Sequence, residues 1–161
     1  MTAPTRLYGS DAPPEKQRRA LTGGQIPVAV HGLGKMGLPL AAVYADLTGN
    51  VVGVDTDSDV VDAVTRGDCP VENEPGLPDA VRTAVERGAL RATTEPRAAA
   101  DAATLHVVVV PTLVEDDVPD ISALSAAVEA IGSGLAVGDV VVVESTVPPG
   151  TCRETVEPLL V

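Results

Sequence analysis

The stretch Ile26–Gly37, IPVAVHGLGKMG, decides how the rest of the chain is read. A short apolar run, Ile26 to Val30, is stopped by glycine, and Gly32, Gly34 and Gly37 follow in the spacing G-x-G-x-x-G. Three glycines in six residues can make an ordinary turn. What gives these three meaning is a strand before them and a helix after them. Each glycine then meets a different steric demand. Gly32 permits the tight turn, Gly34 lets a diphosphate reach the backbone where a β-carbon would collide, and Gly37 lets the helix pack closely on the strand. The helix N-terminus turns amide groups and the positive end of its dipole toward the phosphates. Pro39, in the first turn, loses little by lacking an N–H. The expected cofactor loop is Gly32, Leu33, Gly34, Lys35, Met36 and Gly37.

The next apolar run, Val51 to Val54, ends in Asp55, 18 residues after Gly37. A carboxylate about 20 residues beyond the loop is placed to accept from the adenosine ribose hydroxyls, and its charge disfavours a 2′-phosphate. NAD is therefore the expected cofactor. Asp57 and Asp59 read as a solvated helix start.

Outward from this unit, strand and helix signals alternate. Leu38–Leu47 is an Ala-rich helix stopped by Gly49-Asn50, and Ser58 can cap a helix to about Arg66. Leu77–Arg87 reads as a helix, Leu90–Thr93 as a short strand, Pro96–Ala102 as a short helix. His106–Val110 and Val140–Val143 are apolar runs of the kind buried on both faces of a parallel sheet. A helix is expected from Ser122 to about Leu135, and a last one from near Thr151. The fold class is α/β, a Rossmann-type doubly wound parallel sheet with helices on both faces and right-handed crossovers. Residues 1–25 read as a flexible arm with at most one helical turn around Glu15–Ala20, and 26–161 as one NAD-binding domain.

Composition narrows the function. The chain has 161 residues, with 11 Lys plus Arg against 23 Asp plus Glu, a formal net charge of −12. Such a chain repels phosphate backbones and anionic bilayers, so nucleic acid and membrane surfaces are excluded as partners. No apolar run of 18 residues or more and no signal-peptide core are present, so the expected location is the cytoplasm. Two cysteines are too few for a disulfide scaffold or a Cys-rich metal site, and no metal is expected. Lysines occur only at 16 and 35, and the aromatics are Tyr8 and Tyr44 alone. Acidic, lysine-poor and built on small core residues, the chain reads as adapted to concentrated salt, where a Debye length of about 3 Å at 1 M screens self-repulsion.

Five segments occur in order: GLGKMGLPLAAVYAD, GVDTD, ENEPGL, VVVVPT and ESTVPPGT. Together they resemble the UDP-glucose/UDP-N-acetylmannosamine/GDP-mannose dehydrogenase family, over Ile26 to Val161. The V-P-T and S-T-V-P-P-G segments lean toward its UDP-N-acetylmannosamine branch. The resemblance implies an NAD-dependent enzyme that oxidises the C6 hydroxyl of a nucleotide sugar to a carboxylate in two steps. It implies that Gly32, Gly34 and Gly37 cradle the diphosphate and that Asp55 holds the ribose. Pro111, Thr112 and Ser145 would lie beside the cofactor, and Thr146 would position a catalytic water. Glu74-Pro75-Gly76-Leu77 would open a helix in a structural role, and Glu144 has at most a cofactor-side role. The sequence departs from the family at Lys35, often aromatic, at Val60, often basic, and at Leu113, usually proline.

Family enzymes continue through a glutamate loop, a central helix carrying lysine and asparagine, a cysteine nucleophile and a C-terminal substrate domain. This sequence stops before all of them. The chain alone is therefore expected to be inactive, with nucleotide sugar bound only alongside those parts, in a full-length homo-oligomer. Alternatives are a stand-alone, non-catalytic NAD-binding module and, ranked below it, a fragment of a 3-hydroxyacid or 6-phosphogluconate type dehydrogenase. Those also carry G-L-G-x-M-G but lack the later motifs. Cys69 and Cys152 match no nucleophile motif, and His31 and His106 read as packing residues. Val156, Leu159, Leu160 and Val161 form an apolar end that the sequence leaves uncovered.

Overall fold

The computed structural model describes residues 11–115 and 118–160. Its core is a five-stranded parallel sheet of β1 (Val28–His31), β2 (Val51–Val54), β3 (Leu90–Thr93), β4 (Leu105–Val108) and β7 (Val140–Val143), in the order β3-β2-β1-β4-β7. The register aligns Val28 with Val51 and Leu105, and Leu105 with Val140. The four-residue β1, β2 and β4 are buried throughout, so every position in them is apolar or otherwise small enough to pack, apart from two histidines.

Alternation along each strand sends successive side chains to opposite faces. Val28, Val30, Val51 and Val107 meet α2 (Gly37–Thr48) and α4 (Leu77–Glu86) through Leu38, Ala41, Ala45 and Val81. On the other face Ala29, Val52 and Val54 pack with Ala99 and Ala103 at α5 (Pro96–Ala102). Val108 packs with Leu124, Val128 and Ile131 of α6 (Ser122–Gly132). With no Phe or Trp in the chain, alanine is what lets the helices lie close on the sheet. The helical connections change faces at β1, between its neighbours β2 and β4, and in such sheets the crevice at that reversal takes ligands.

Several expectations need correction. Residues 14–22 are no loose arm: α1 (Pro14–Thr22) is helical and docks through buried Ala20 and partly buried Leu21. Met1–Ser10 lie outside the described residues. The helix α3 (Ser58–Thr65) is capped by Asp57, whose carboxylate accepts from Asp59 N–H at 2.9 Å, so Ser58 is already inside it. β4 ends at Val108, two residues short, and α6 ends at Gly132. A small antiparallel hairpin, β5 (Leu113–Glu115) and β6 (Val118–Asp120), was not foreseen, because Pro119 interrupts one strand and the other is three residues long. The chain's end is not bare. A π-helical turn, Cys152–Val156, runs into the single turn α7 (Glu157–Leu159), and Val156 is buried against the α6 cluster with Leu159 and Leu160 half-covered beside it. Val161 lies outside the described residues.

Candidate functional site

The glycine loop follows β1 without a break. Gly32 has φ 98°, a conformation L side chains rarely adopt, and a β-carbon on it would strike the carbonyl oxygen of Val109. A β-carbon on Gly37 would strike the carbonyl oxygen of Gly32. Gly34 differs: beyond its chain neighbours, no atom of the described residues lies within 4 Å of where its β-carbon would be, so the fold itself does not require glycine there. Leu33 points inward and is fully buried, over Gly53 of β2, where a β-carbon would come within 2.7 Å of it. Lys35 and Met36 are exposed at the head of α2. The first bond back into the helix is Leu38 N–H to Gly34 C=O, 3.0 Å. The N–H groups of Gly34, Lys35 and Met36 have no acceptor among the described residues. Three free amides at a helix N-terminus are what an anionic group needs.

Asp55 follows β2 and is fastened to the loop. One carboxylate oxygen accepts from Leu33 N–H at 2.7 Å and the other from Asp57 N–H at 3.0 Å. A carboxylate offers about four lone-pair directions, so two are left for hydroxyl donors. Asp55, Gly32, His31 and Pro111 line one cleft of about 280 Å3 at the C-terminal ends of β1, β2 and β4. Its walls hold residues that the sequence reading missed: Thr56, Thr94, Pro96 and the α6 alanines Ala123, Ala126, Ala127 and Ala130. Those alanines recur at i, i+3, i+4 and i+7, a second helix face that the Leu124/Val128/Ile131 face had hidden.

The other expected residues lie beside this cleft. Ser145 Oγ donates to Val110 C=O at 2.8 Å and accepts from Val110 N–H at 2.9 Å, tying the end of β7 to the end of β4. Its proton and one lone pair are thereby engaged in bracing. Thr112 Oγ1 donates to Thr146 C=O at 2.8 Å, a second tie between the same ends. Thr146 is exposed, and its own hydroxyl makes no bond among the described residues. Glu144 is also exposed. Cys69 and Cys152 are free thiols, Cys69 donating to Val71 C=O at 3.3 Å. Among the described residues no cluster of three or more His, Cys, Asp or Glu could hold a metal ion. None of their helices is long and apolar enough to cross a membrane.

A family model for the UDP-glucose/GDP-mannose dehydrogenase family, NAD binding domain, matches residues 26–161. The chain belongs to this family. It is 41% identical over 128 residues to an NDP-N-acetyl-D-galactosaminuronic acid dehydrogenase of Ralstonia nicotianae, covering 79% of this chain and 29% of that protein. It is 40% identical over 131 residues to the UDP-N-acetyl-D-mannosamine dehydrogenase of Escherichia coli K12, covering 81% and 30%. Among solved structures it resembles the GDP-mannose dehydrogenase of Pseudomonas aeruginosa, with a TM-score of 0.79, 28% identity, and coverage of 84% of this chain and 32% of that one. The chain thus spans about a third of the length of these relatives, and it is their NAD-binding domain that it matches. The structure fits that cofactor: the space over Gly34, the three free amides and the two open directions on Asp55 are each what a dinucleotide needs.

Proposed function

We propose that this chain is the cofactor half of a nucleotide-sugar 6-dehydrogenase of the UDP-N-acetylmannosamine type, with residues 26–161 as its NAD-binding domain. The observation that carries this reading is the contrast within the glycine loop, where Gly32 and Gly37 serve the fold and only Gly34 leaves open space beside unbonded amides. Gly34, Lys35 and Met36 bind the diphosphate through their N–H groups, and Asp55 accepts from the adenosine ribose in the cleft. Thr112 and Thr146 flank the far end, where Thr146 Oγ1 can both donate to and accept from a water held near the substrate. Bound NAD supplies a hydride acceptor. Relatives named for UDP-N-acetyl-D-mannosamine support this branch, beside others named for N-acetyl-D-galactosaminuronic acid.

Calorimetric titration of the chain with NAD and with NADP tests the cofactor part. One NAD should bind per chain, with NADP weaker because its 2′-phosphate meets the Asp55 carboxylate. Equal affinity for the two, or none for NAD, overturns it. For the sugar, the polypeptide that carries this segment in the cell should form two NADH per molecule of UDP-N-acetylmannosamine consumed. One NADH per sugar would mean a simple alcohol oxidation and refute the reading.

A further inference from the structure

Two histidines interrupt the aliphatic interior of the sheet. His31 is the last residue of β1 and His106 lies in β4 beside Ala29, so both rings point to the face that α5 and α6 cover. They are 2% and 0% exposed, with ring centroids 5.9 Å apart. His31 Nε2 and both nitrogens of His106 are buried and have no hydrogen-bond partner among the described residues. On that face His31 lies between Val54 and Val108, and His106 between Ala29 and Val141. An aliphatic side chain would fill the space without leaving polar atoms unpaired, so packing alone does not explain an imidazole at either position. One of the two, His31, lines the cleft next to Gly32 and Asp55.

We propose that His31, backed by His106, is a further cofactor-binding group: its imidazole takes a proton from solvent when a dinucleotide enters the cleft and holds it as a positive charge beside the glycine loop. This rests on the NAD reading above. In the free protein the proton is held off. Burial, and then the charge of His106, push the His31 pKa down to about 4. The His106 pKa is also lowered by burial, against an opposing pull from Asp139. The remaining surroundings do little to offset a negative ligand. From α5, apolar Ala99 and Ala103 face the pair while Arg97 and Asp101 are exposed. From α6 come alanines, with Glu129 exposed, and the one nearby lysine, Lys35, is exposed at the head of α2. Asp55 lines the same cleft and adds negative charge. A diphosphate at the neighbouring amides therefore favours the charged imidazole strongly, because its field is poorly screened in the buried site. Binding and protonation are then linked in both directions.

The test is titration of the intact chain with NAD at pH 5.5 in two buffers of different ionisation enthalpy. The heats should differ, reporting net proton uptake, and affinity should rise on the order of threefold between pH 7.5 and 5.5. His31→Leu should abolish the uptake and flatten that pH dependence. Imidazole NMR signals of the unaltered chain give a second readout that does not depend on the variant folding: the His31 titration midpoint should rise when NAD is saturating. Equal heats in the two buffers, or an unmoved midpoint, would overturn the inference. NAD binding at pH 7.5 with neither effect would sink this proposal and leave the cofactor reading standing, whereas no binding at pH 7.5 would sink both.

Discussion

Gly34→Ala separates binding from folding. The fold has no need of glycine at this position, since beyond its chain neighbours a β-carbon there would meet no atom of the described residues within 4 Å and the backbone is not in the left-handed region. Replacing glycine by alanine at a compatible position restricts the unfolded chain and stabilises by about 0.4–1 kcal/mol. On the proposed reading, the same methyl group stands where a diphosphate approaches the amides of Gly34, Lys35 and Met36. Moving the phosphate oxygens away to relieve the contact forfeits one or two charge-assisted hydrogen bonds, each worth about 1.5–3 kcal/mol. The net loss is about 2–4 kcal/mol, or on the order of 30- to 1000-fold in the dissociation constant for NAD. Gly37→Ala is the control. Its β-carbon would strike the Gly32 carbonyl, so the fold should lose about 1–3 kcal/mol or fail outright. Urea unfolding gives the stability of each variant and calorimetry the affinity. If Gly34→Ala binds NAD within about twofold of the parent while folding normally, the diphosphate does not sit on this loop and the reasoning is refuted.

Asp55→Ala should weaken NAD binding by about 1–3 kcal/mol and also lower stability, because Leu33 and Asp57 N–H both lose their acceptor; unchanged affinity by calorimetry would remove Asp55 from the site. Ser145→Ala should lower the urea midpoint by the equivalent of about 1–2 kcal/mol, since Val110 N–H and C=O lose one partner each. Acid should destabilise the free protein through His31. Its folded pKa of about 4 lies below the unfolded value of 6.5, so the contribution is intact above pH 6.5 and is lost as pH falls toward 4. About 3 kcal/mol goes this way by pH 4, and unfolding of His31→Leu between pH 7 and 5 should lack that component.

The fold was legible because its signals are local and redundant. Val51–Val54 and Val140–Val143 both form strands, although Val140–Val143, expected to be buried on both faces, is only half-buried because β7 lies at the edge of the sheet, and Gly32, Gly37 and Pro39 each mark a junction whose steric demand the structure bears out at Gly32 and Gly37. What escaped depends on contacts between distant segments. Residues 13–22 are mostly polar and begin with two prolines, yet Pro14 opens α1 at a position where a missing N–H is tolerated, and Ala20 finds a buried place on the core. The hairpin at Leu113–Glu115 and Val118–Asp120 exists through pairing alone, with Leu113, Val114 and Val118 largely exposed, so no burial pattern announces it. In the site, residue types pointed to a loop and an acid, which the structure brings together at one cleft. They could not say that the Ser145 hydroxyl faces Val110, because that is set by where β7 ends relative to β4.

Asp55 shows how the two scales meet. A carboxylate with the role proposed for Asp55 would, if free, have to be ordered and partly desolvated on binding, and each immobilised side chain costs about 0.5–1.5 kcal/mol. Here Leu33 and Asp57 N–H already hold both oxygens before any ligand arrives. Leu33 can be in place because its side chain is locked in the core over Gly53, on the strand that ends at Asp55. Glycine at 53, leucine at 33 and aspartate at 55 therefore act as one device, in which an apolar contact inside the sheet sets the angle of an ionic group outside it. Gly53→Ala tests the coupling. The added methyl would press on Leu33 Cδ2 at 2.7 Å, displacing the loop from Asp55, so NAD affinity should fall although no atom that could touch the ligand has been altered. Normal affinity in a folded Gly53→Ala chain would show that the loop and the acid are positioned independently.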